Sequence, residues 1–307
     1  MVARMQRTTV LLLFAVSLLW FATRAWDGEW LAATVGALLL INLQPLILLI
    51  EFFVLVPLIN RGDATPRPSA WQLLRAWWHE SLTAHDVFGW QQPFRALRYS
   101  DALDGAGAQR AVVLVHGFMC NRAVWNRWVP ALRAEGVPHV AITMEPPFGG
   151  IDQYVAGIDA AIERATRATG VAPLLVGHSM GGLAIRAWWR AQGEGAASRV
   201  HGVITIASPH HGTFTARLAR ADNAHQMRRQ SVWLRDLAAS EDDGRRRHFT
   251  CFYSHCDNIA MPASTGALPG ADNRHLEGQP HVALVYAPEV FAEVLRRVKV
   301  GGSVSSA

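Results

Sequence analysis

Cysteine is scarce in this chain of 307 residues: there are three, Cys120, Cys251 and Cys256. Three thiols cannot all pair, and their spacing has no metal-binding pattern. Cys251 and Cys256 could form one disulfide, but nothing requires it, and the count is compatible with a reducing compartment. Charge is thin as well, at 17% of residues, and the formal excess of +5 comes mainly from arginine. Such an excess suits an anionic membrane surface. Nucleic acid is not expected as a partner, because the basic residues are scattered and no finger, homeodomain or RNA-binding signature is present. Internal repeats and low-complexity segments are also missing, which excludes solenoid architectures. No motif calls for a metal or an organic cofactor, and none is expected.

What the chain has instead is apolar residues. They make up 50% of the sequence, and the mean hydropathy is positive, +0.12. The excess sits in the first 60 residues, which read as a membrane anchor. Arg4 and Arg7 precede an uncharged run from Val10 to Ala22, which suits a signal-peptide core or a short spanning helix. Thr23-Arg24-Ala25 is a poor cleavage site. After Arg24, Asp27 and Glu29 the chain is apolar again from Leu31 to Ile59, with Glu51 as its one charge. At ~1.5 Å per residue this run exceeds the ~30 Å hydrocarbon core, and Pro45 is a natural kink. The expectation is a two-helix hairpin. Glu51 is then either a carboxylate near the headgroups or a functional group within the span. Arginines before the first segment and after the second (Arg61, Arg67, Arg75) put both ends in the cytoplasm. That implies an inner-membrane protein with its soluble part inside. A second segment that dips in at Pro45 without crossing reverses the side.

Residues 61–109 read as a connector. Arg61 to Pro68 is linker-like, and Trp71 to Trp78 has the pattern of an amphipathic helix. Either it lies at a membrane interface, where tryptophan is favoured, or it packs on the following domain. From Arg110 to about residue 300, strands and helices alternate. Strands are expected at Ala111 to Val115, Val140 to Met144, Val200 to Ala207 and Phe249 to Tyr253. Helices are expected at Asn121 to Glu135, Tyr154 to Thr169 and Ala287 to Val298. This alternation implies a mostly parallel sheet with helices on both faces.

The chemistry centres on Pro173 to Gly182. An apolar strand runs into Gly177-His178-Ser179-Met180-Gly181-Gly182 and a helix follows. A serine at such a corner is held on a strained turn above a helix N-terminus, with its hydroxyl exposed. A serine nucleophile needs a base and an acid to orient that base. Asp257 follows the Phe249 to Tyr253 strand, and His281 lies in a loop before the last helix. Asp242, Asp243 and Asp272 compete for the acid, the first two in a charged run read as a solvated loop. His275, His255, His210 and His211 compete for the base. Two backbone N–H groups must face the developing oxyanion. Met180 follows the nucleophile, and Phe118 lies in the His116-Gly117-Phe118 loop after the first strand. His116 is read as a structural hydrogen-bonding group, His178 as packing beside the elbow, and Cys120 as either buried or a reactive thiol.

Together His116-Gly117-Phe118, the elbow, Pro209-His210-His211-Gly212-Thr213, Asp257 and the run from Gly270 to Val290 resemble bacterial lipases of the α/β-hydrolase superfamily over residues 110–300. Pro280 stands where family members commonly have glycine, and many members are secreted rather than anchored. The resemblance implies an α/β-hydrolase fold and cleavage of carboxylic or lipid esters, with Ser179, Asp257 and His281 as triad. The same triad serves acyltransferases and thioesterases, and a non-catalytic scaffold is the rival outside enzymes. Residues 214–247 fall where the superfamily often inserts a cap, with Phe214, Met227 and Trp233 among those expected to line an acyl pocket. The triad and oxyanion loop lie wholly beyond residue 109.

Overall fold

Strands buried on both faces are apolar at most positions, as the ones in this chain are, although the strand expected at Val140 to Met144 is found at His139–Ala141. β1 (Val112–Val115), β2 (His139–Ala141), β3 (Leu174–His178) and β4 (Gly202–Ile206) are buried at every position. The computed structural model describes residues 1–104 and 109–299. Residues 105–108 of the expected connector and residue 300 of the expected catalytic unit lie outside them. β5 (Phe249–Tyr253) and β6 (Asp272–His275) complete a parallel sheet in the order β2-β1-β3-β4-β5-β6. The order reverses between β1 and β3, so the loops at their carboxyl ends flank a crevice where α/β folds place their sites.

β6 was not expected. Asp-Asn-Arg-His has no apolar alternation, because this strand forms the sheet's exposed edge. Its Asp272 and Arg274 pair at 2.7 Å, and charged side chains of this kind blunt an edge against further pairing.

Helices cover both faces. On one side α6 (Val155–Thr169) and α7 (Met180–Gln192) pack into a core with Val113, Leu175 and Val203. On the other, α5 (Trp128–Ala134) and α9 (Pro288–Lys299) pack with Val112, Leu174 and Ile204. Cys251 belongs to the first core and Cys256 lies elsewhere, against Met261. All three cysteines are free and buried, so the possible Cys251–Cys256 disulfide does not form.

The charged run Glu241-Asp242-Asp243 is solvated only in part. Asp243 is exposed, but the Glu241 side chain is 1% exposed and forms a two-point ion pair with Arg186, also 1% exposed, at 2.7 and 2.8 Å. Removing one charge of a buried pair strands the other without solvation. Glu241→Gln is therefore expected to destabilise the fold by ~3–5 kcal/mol, read as a drop in the urea midpoint with an unchanged slope. An unchanged midpoint would mean that Arg186 finds water or another acceptor.

The first 60 residues do not stand apart. α1 (Val2–Trp26) packs along α2 (Trp30–Ile41), with Trp20 Nε1 donating to the Ala32 carbonyl at 3.1 Å. α1 is long and apolar enough to cross a membrane. The continuation from Trp30 to Ile59 passes the same test only as one broken unit, bent by 64°. The bend is at Asn42 and not at Pro45. Proline cannot donate to the carbonyl four residues back, Ile41, and crowds it, so the break falls one turn earlier. Pro45 then sits in the first turn of α3 (Leu43–Ile50), where no intrahelical donor is needed.

Beyond the bend the chain runs on the body that carries the sheet. Leu48, Phe52 and Val56 share a core with Leu73, Ala76, Cys256 and Met261. The Asn60 carboxamide oxygen accepts from Ala263 N–H at 2.9 Å, and Asp63 from Ser264 N–H at 3.0 Å. At the other end, Gln6 donates to the Met119 carbonyl and Arg7 to the Pro93 carbonyl, both at 2.9 Å. The Trp-rich segment forms α4 (Ala70–Ala84), opened by a Ser69–Gln72 capping box. One face packs on the rest of the fold and the other is open. Leu73 and Ala76 face inward and Trp77 donates to the Pro45 carbonyl at 2.9 Å, while Trp71, Leu74, Trp78 and Leu82 form an exposed apolar stripe.

Candidate active site

Ser179 is held where few side chains go. Its φ of 54° and ψ of −125° lie outside the regions open to most L-residues. The turn survives because β3 fixes one side of it, with Ser179 N–H donating to the Ile206 carbonyl at 2.8 Å, and α7 the other. Gly181 allows α7 to start against β1: a Cβ there would come within 2.4 Å of the Val115 carbonyl oxygen. Met180 is the first residue of α7, so its N–H has no intrahelical acceptor. The loop after β1 approaches from the other side, and a Cβ on Gly117 would fall 2.8 Å from Ser179 Cβ. This brings Phe118, the next residue, to the serine. Phe118 and Ser179 border the same hollow.

His116 braces that loop. Its Nδ1 is 2.8 Å from the Gly117 carbonyl and its Nε2 accepts from Met144 N–H at 2.8 Å. Burial pushes its pKa down to about 4, so the ring is neutral, with one nitrogen donating and the other accepting. Cys120 is buried nearby, and burial pushes its thiol up to about 12. That removes the thiolate a reactive cysteine needs.

Asp257 and His281 meet beside Ser179. His281 Nδ1 lies 3.0 Å from both carboxylate oxygens. Asp257 is itself fixed, its Oδ1 accepting from Ile259 N–H at 2.8 Å and Ala260 N–H at 2.7 Å. Burial disfavours the imidazolium, but the Asp257 carboxylate outweighs it, and the pKa of His281 is raised. His178 packs on the His281 ring with centroids 4.9 Å apart. Burial, and then the charge of His281, keep it neutral. The competing residues lie elsewhere. Asp272 pairs with Arg274, His255 with His275 at 2.9 Å, and His210 with Thr205 at 3.0 Å.

Two polar residues at the site, Glu80 and Asn258, escaped the sequence reading, and a third, Glu51, was open to two readings. Glu80, on the inner face of α4, accepts from Val282 N–H at 2.8 Å and Ala283 N–H at 3.0 Å, pinning the turn that carries His281. Burial raises its carboxyl to about 7, against the pull of those two amides. Asn258 accepts from His281 N–H at 3.3 Å and donates to Glu51 at 2.6 Å. Glu51 thus borders the hollow at Ser179. It lies in a π-helical stretch, Glu51–Leu55, a distortion frequent at functional sites. The signal for Glu80 was available, as the lone acid on the buried face of an amphipathic helix.

The hollow at Ser179 measures about 410 Å³, within the usual size of ligand pockets. Ser179, His281, Phe118 and Val282 form its floor, and Leu13, Leu43, Ile47, Leu48 and Phe88 its apolar walls. Those walls come from residues before 109, and 214–247 contributes none of its lining. There Met227 and, on α8 (Val232–Ala239), Leu234 and Leu237 pack into the sheet's core, and Trp233 donates to Asp152 at 2.7 Å. Among the described residues no three His, Cys, Asp or Glu side chains are grouped to hold a metal ion.

Comparison with known proteins agrees with the topology. No curated protein matches the chain. A mature Bacillus licheniformis lipase superposes with a TM-score of 0.52 at 17% identity, over 61% of this chain and 92% of that one. Aspergillus fumigatus lipase B does so with a TM-score of 0.57 at 20% identity, over 64% of this chain and 54% of that one. Identities this low speak to the fold. The model of the alpha/beta hydrolase family matches residues 112–298, which run from the first strand to the last helix. With the parallel sheet, the crevice between β1 and β3 and a family match over more than half its length, the chain belongs to the alpha/beta hydrolase family.

Proposed function

We propose that the protein is a membrane-anchored serine hydrolase that cleaves acyl or lipid esters through an acyl-enzyme. One observation carries the reading: a buried Asp257–His281 pair and a serine on a strained elbow border one apolar hollow. Ser179 Oγ attacks the ester carbonyl, and His281 Nε2 takes its proton and passes it to the leaving alcohol. Asp257 accepts the Nδ1–H, which keeps Nε2 free to act as base and stabilises the imidazolium. The Phe118 and Met180 N–H groups receive the oxyanion. Water, activated by His281, then releases the acid and restores the serine. Both superposed solved structures carry the name lipase, in line with this chemistry. The test is labelling by a fluorophosphonate together with turnover of an ester panel of graded chain length. A chain that neither labels nor turns over any ester is a scaffold and not an enzyme.

The anchor is the hairpin of α1 and α2. α1 has 25 residues, but those up to Phe14 border the body, so the free part of the hairpin, 15–26 of α1 with the 12 residues of α2, enters a ~30 Å core by about 18 Å at ~1.5 Å per residue. Leu11, Leu12, Leu18 and Leu19 are exposed along α1, and Arg24 pairs with Glu29 at the far turn. The Trp71 and Trp78 stripe of α4 suits the adjoining headgroup layer. The full chain is expected to sediment with membranes and to resist carbonate extraction, and release by carbonate would remove the anchor. With the soluble body cytoplasmic, protease reaches residues 214–247 only after spheroplasts are broken. Cleavage in intact spheroplasts would reverse the sidedness.

A further inference from the structure

A second hollow adjoins the one at Ser179. It measures about 460 Å³ and is walled by Met5, Thr9, Val10, Phe14, Ile41 and Trp90, among others. The two hollows meet at Leu13, Gln44, Phe88 and Met119, which border both. Leu13, Gln44 and Met119 are unbranched at Cβ and turn about several bonds, so the junction can open without moving backbone. The backbone around it is held: Gln6 donates to the Met119 carbonyl at 2.9 Å, and Arg7 to the Pro93 carbonyl. On its outer side, Val10 and Phe14 continue into the exposed leucines of α1. The second hollow therefore lies between the serine and the exposed apolar face of α1.

We infer that this second hollow is the distal half of an acyl-chain site, and that α1 is a substrate-binding element as well as an anchor. The inference rests on the ester-hydrolase reading above. The occupant is the far end of one long saturated chain, whose carbonyl lies at Ser179 and whose methylenes pass Leu13 and Met119. The polar side chains along that path are Gln6, Thr9, His85 and Gln44; the first three are bonded to backbone carbonyls, and the Gln44 amide can turn aside. An acyl chain is the ligand whose length and lack of polar groups fit two joined apolar hollows.

The experiment uses the full chain in detergent micelles and p-nitrophenyl esters of butyrate, octanoate and palmitate. In the unmodified protein kcat/KM should be higher for palmitate than for octanoate, and equal values would overturn the inference. Val10→Trp fills the second hollow. Each methylene turned out of an apolar site costs about fourfold, so losing three lowers the palmitate-to-butyrate ratio roughly 60-fold. Leu18→Trp, on the exposed face of α1 and bordering neither hollow, should leave the ratio as it is. A ratio unmoved by Val10→Trp overturns the inference, and so does a fall shared equally by all three esters. Fluorophosphonate labelling in the same preparations separates the two levels. Intact labelling with an unmoved ratio removes only the distal site, whereas absence of labelling in the unmodified protein removes the hydrolase reading and the distal site with it.

Discussion

Ser179→Ala is expected to lower kcat/KM on a short soluble ester by at least ~10³-fold, leaving only what the oxyanion donors and binding supply. The size follows from the position of the side chain. The elbow places one hydroxyl at the floor of the hollow, 7% exposed, and no neighbouring described nucleophile can replace it. Cys120 borders the same hollow, but burial keeps its thiol protonated. Removing Oγ also relieves no strain, because the alanine inherits the φ of 54°, so the variant should fold with the stability of its parent. The measurement is turnover together with fluorophosphonate labelling. A variant that keeps a tenth of the activity and still takes the label would falsify the assignment of Ser179 as nucleophile.

Asp257→Asn is the second large effect, at least ~10²-fold in kcat. The carboxylate does two things at once: it accepts from the Ile259 and Ala260 N–H groups and it faces His281 Nδ1. An asparagine can still offer its oxygen to the two backbone donors. Its NH2 group then faces His281 Nδ1, which must accept, and the ring proton moves to Nε2, where the base is needed. The loss should therefore fall on kcat and spare KM, with circular dichroism and melting unchanged. Should Asp257→Asn be harmless and Asp272→Asn damaging, the acid is the edge-strand residue instead.

How far the sequence could be read depended on how local each cause was. The corner at Ser179 is set by residues within a few positions of it, and β3 and α7 meet there as the glycines imply. The Asp257–His281 pair was legible because the fold's connectivity brings the end of β5 and the loop before α9 to one place. β6 was not, because an exposed edge strand has no apolar side to leave a pattern. Glu241 looked solvated because its partner Arg186 is 55 residues earlier. Glu80 looked like part of a tether because the amides it serves lie 202 and 203 residues later. The apolar run from Leu31 to Ile59 carries two meanings at once. A helix that faces lipid and one that walls an apolar hollow need the same residues, and composition cannot tell the two apart. Glu51 was the one residue in that run that distinguished them, through its bond to Asn258.

That bond also sets an order of events during synthesis. Glu51 and Asn258 are 207 residues apart, and a ribosome adds ~5–20 residues per second. The apolar wall is therefore made ~10–40 s before the strand end and histidine loop that it will face. For that interval α3 can lean on α4, through Leu48 with Leu73 and Ala76 and through Trp77 on the Pro45 carbonyl, but the face it turns to Met261 and Asn258 has no partner in the chain. A half-made chain already lodged in a bilayer has an apolar trough but neither acid nor base, so it cannot attack the lipids around it. The proposed chemistry starts only when the last strand and α9 close on a hairpin that was made before them.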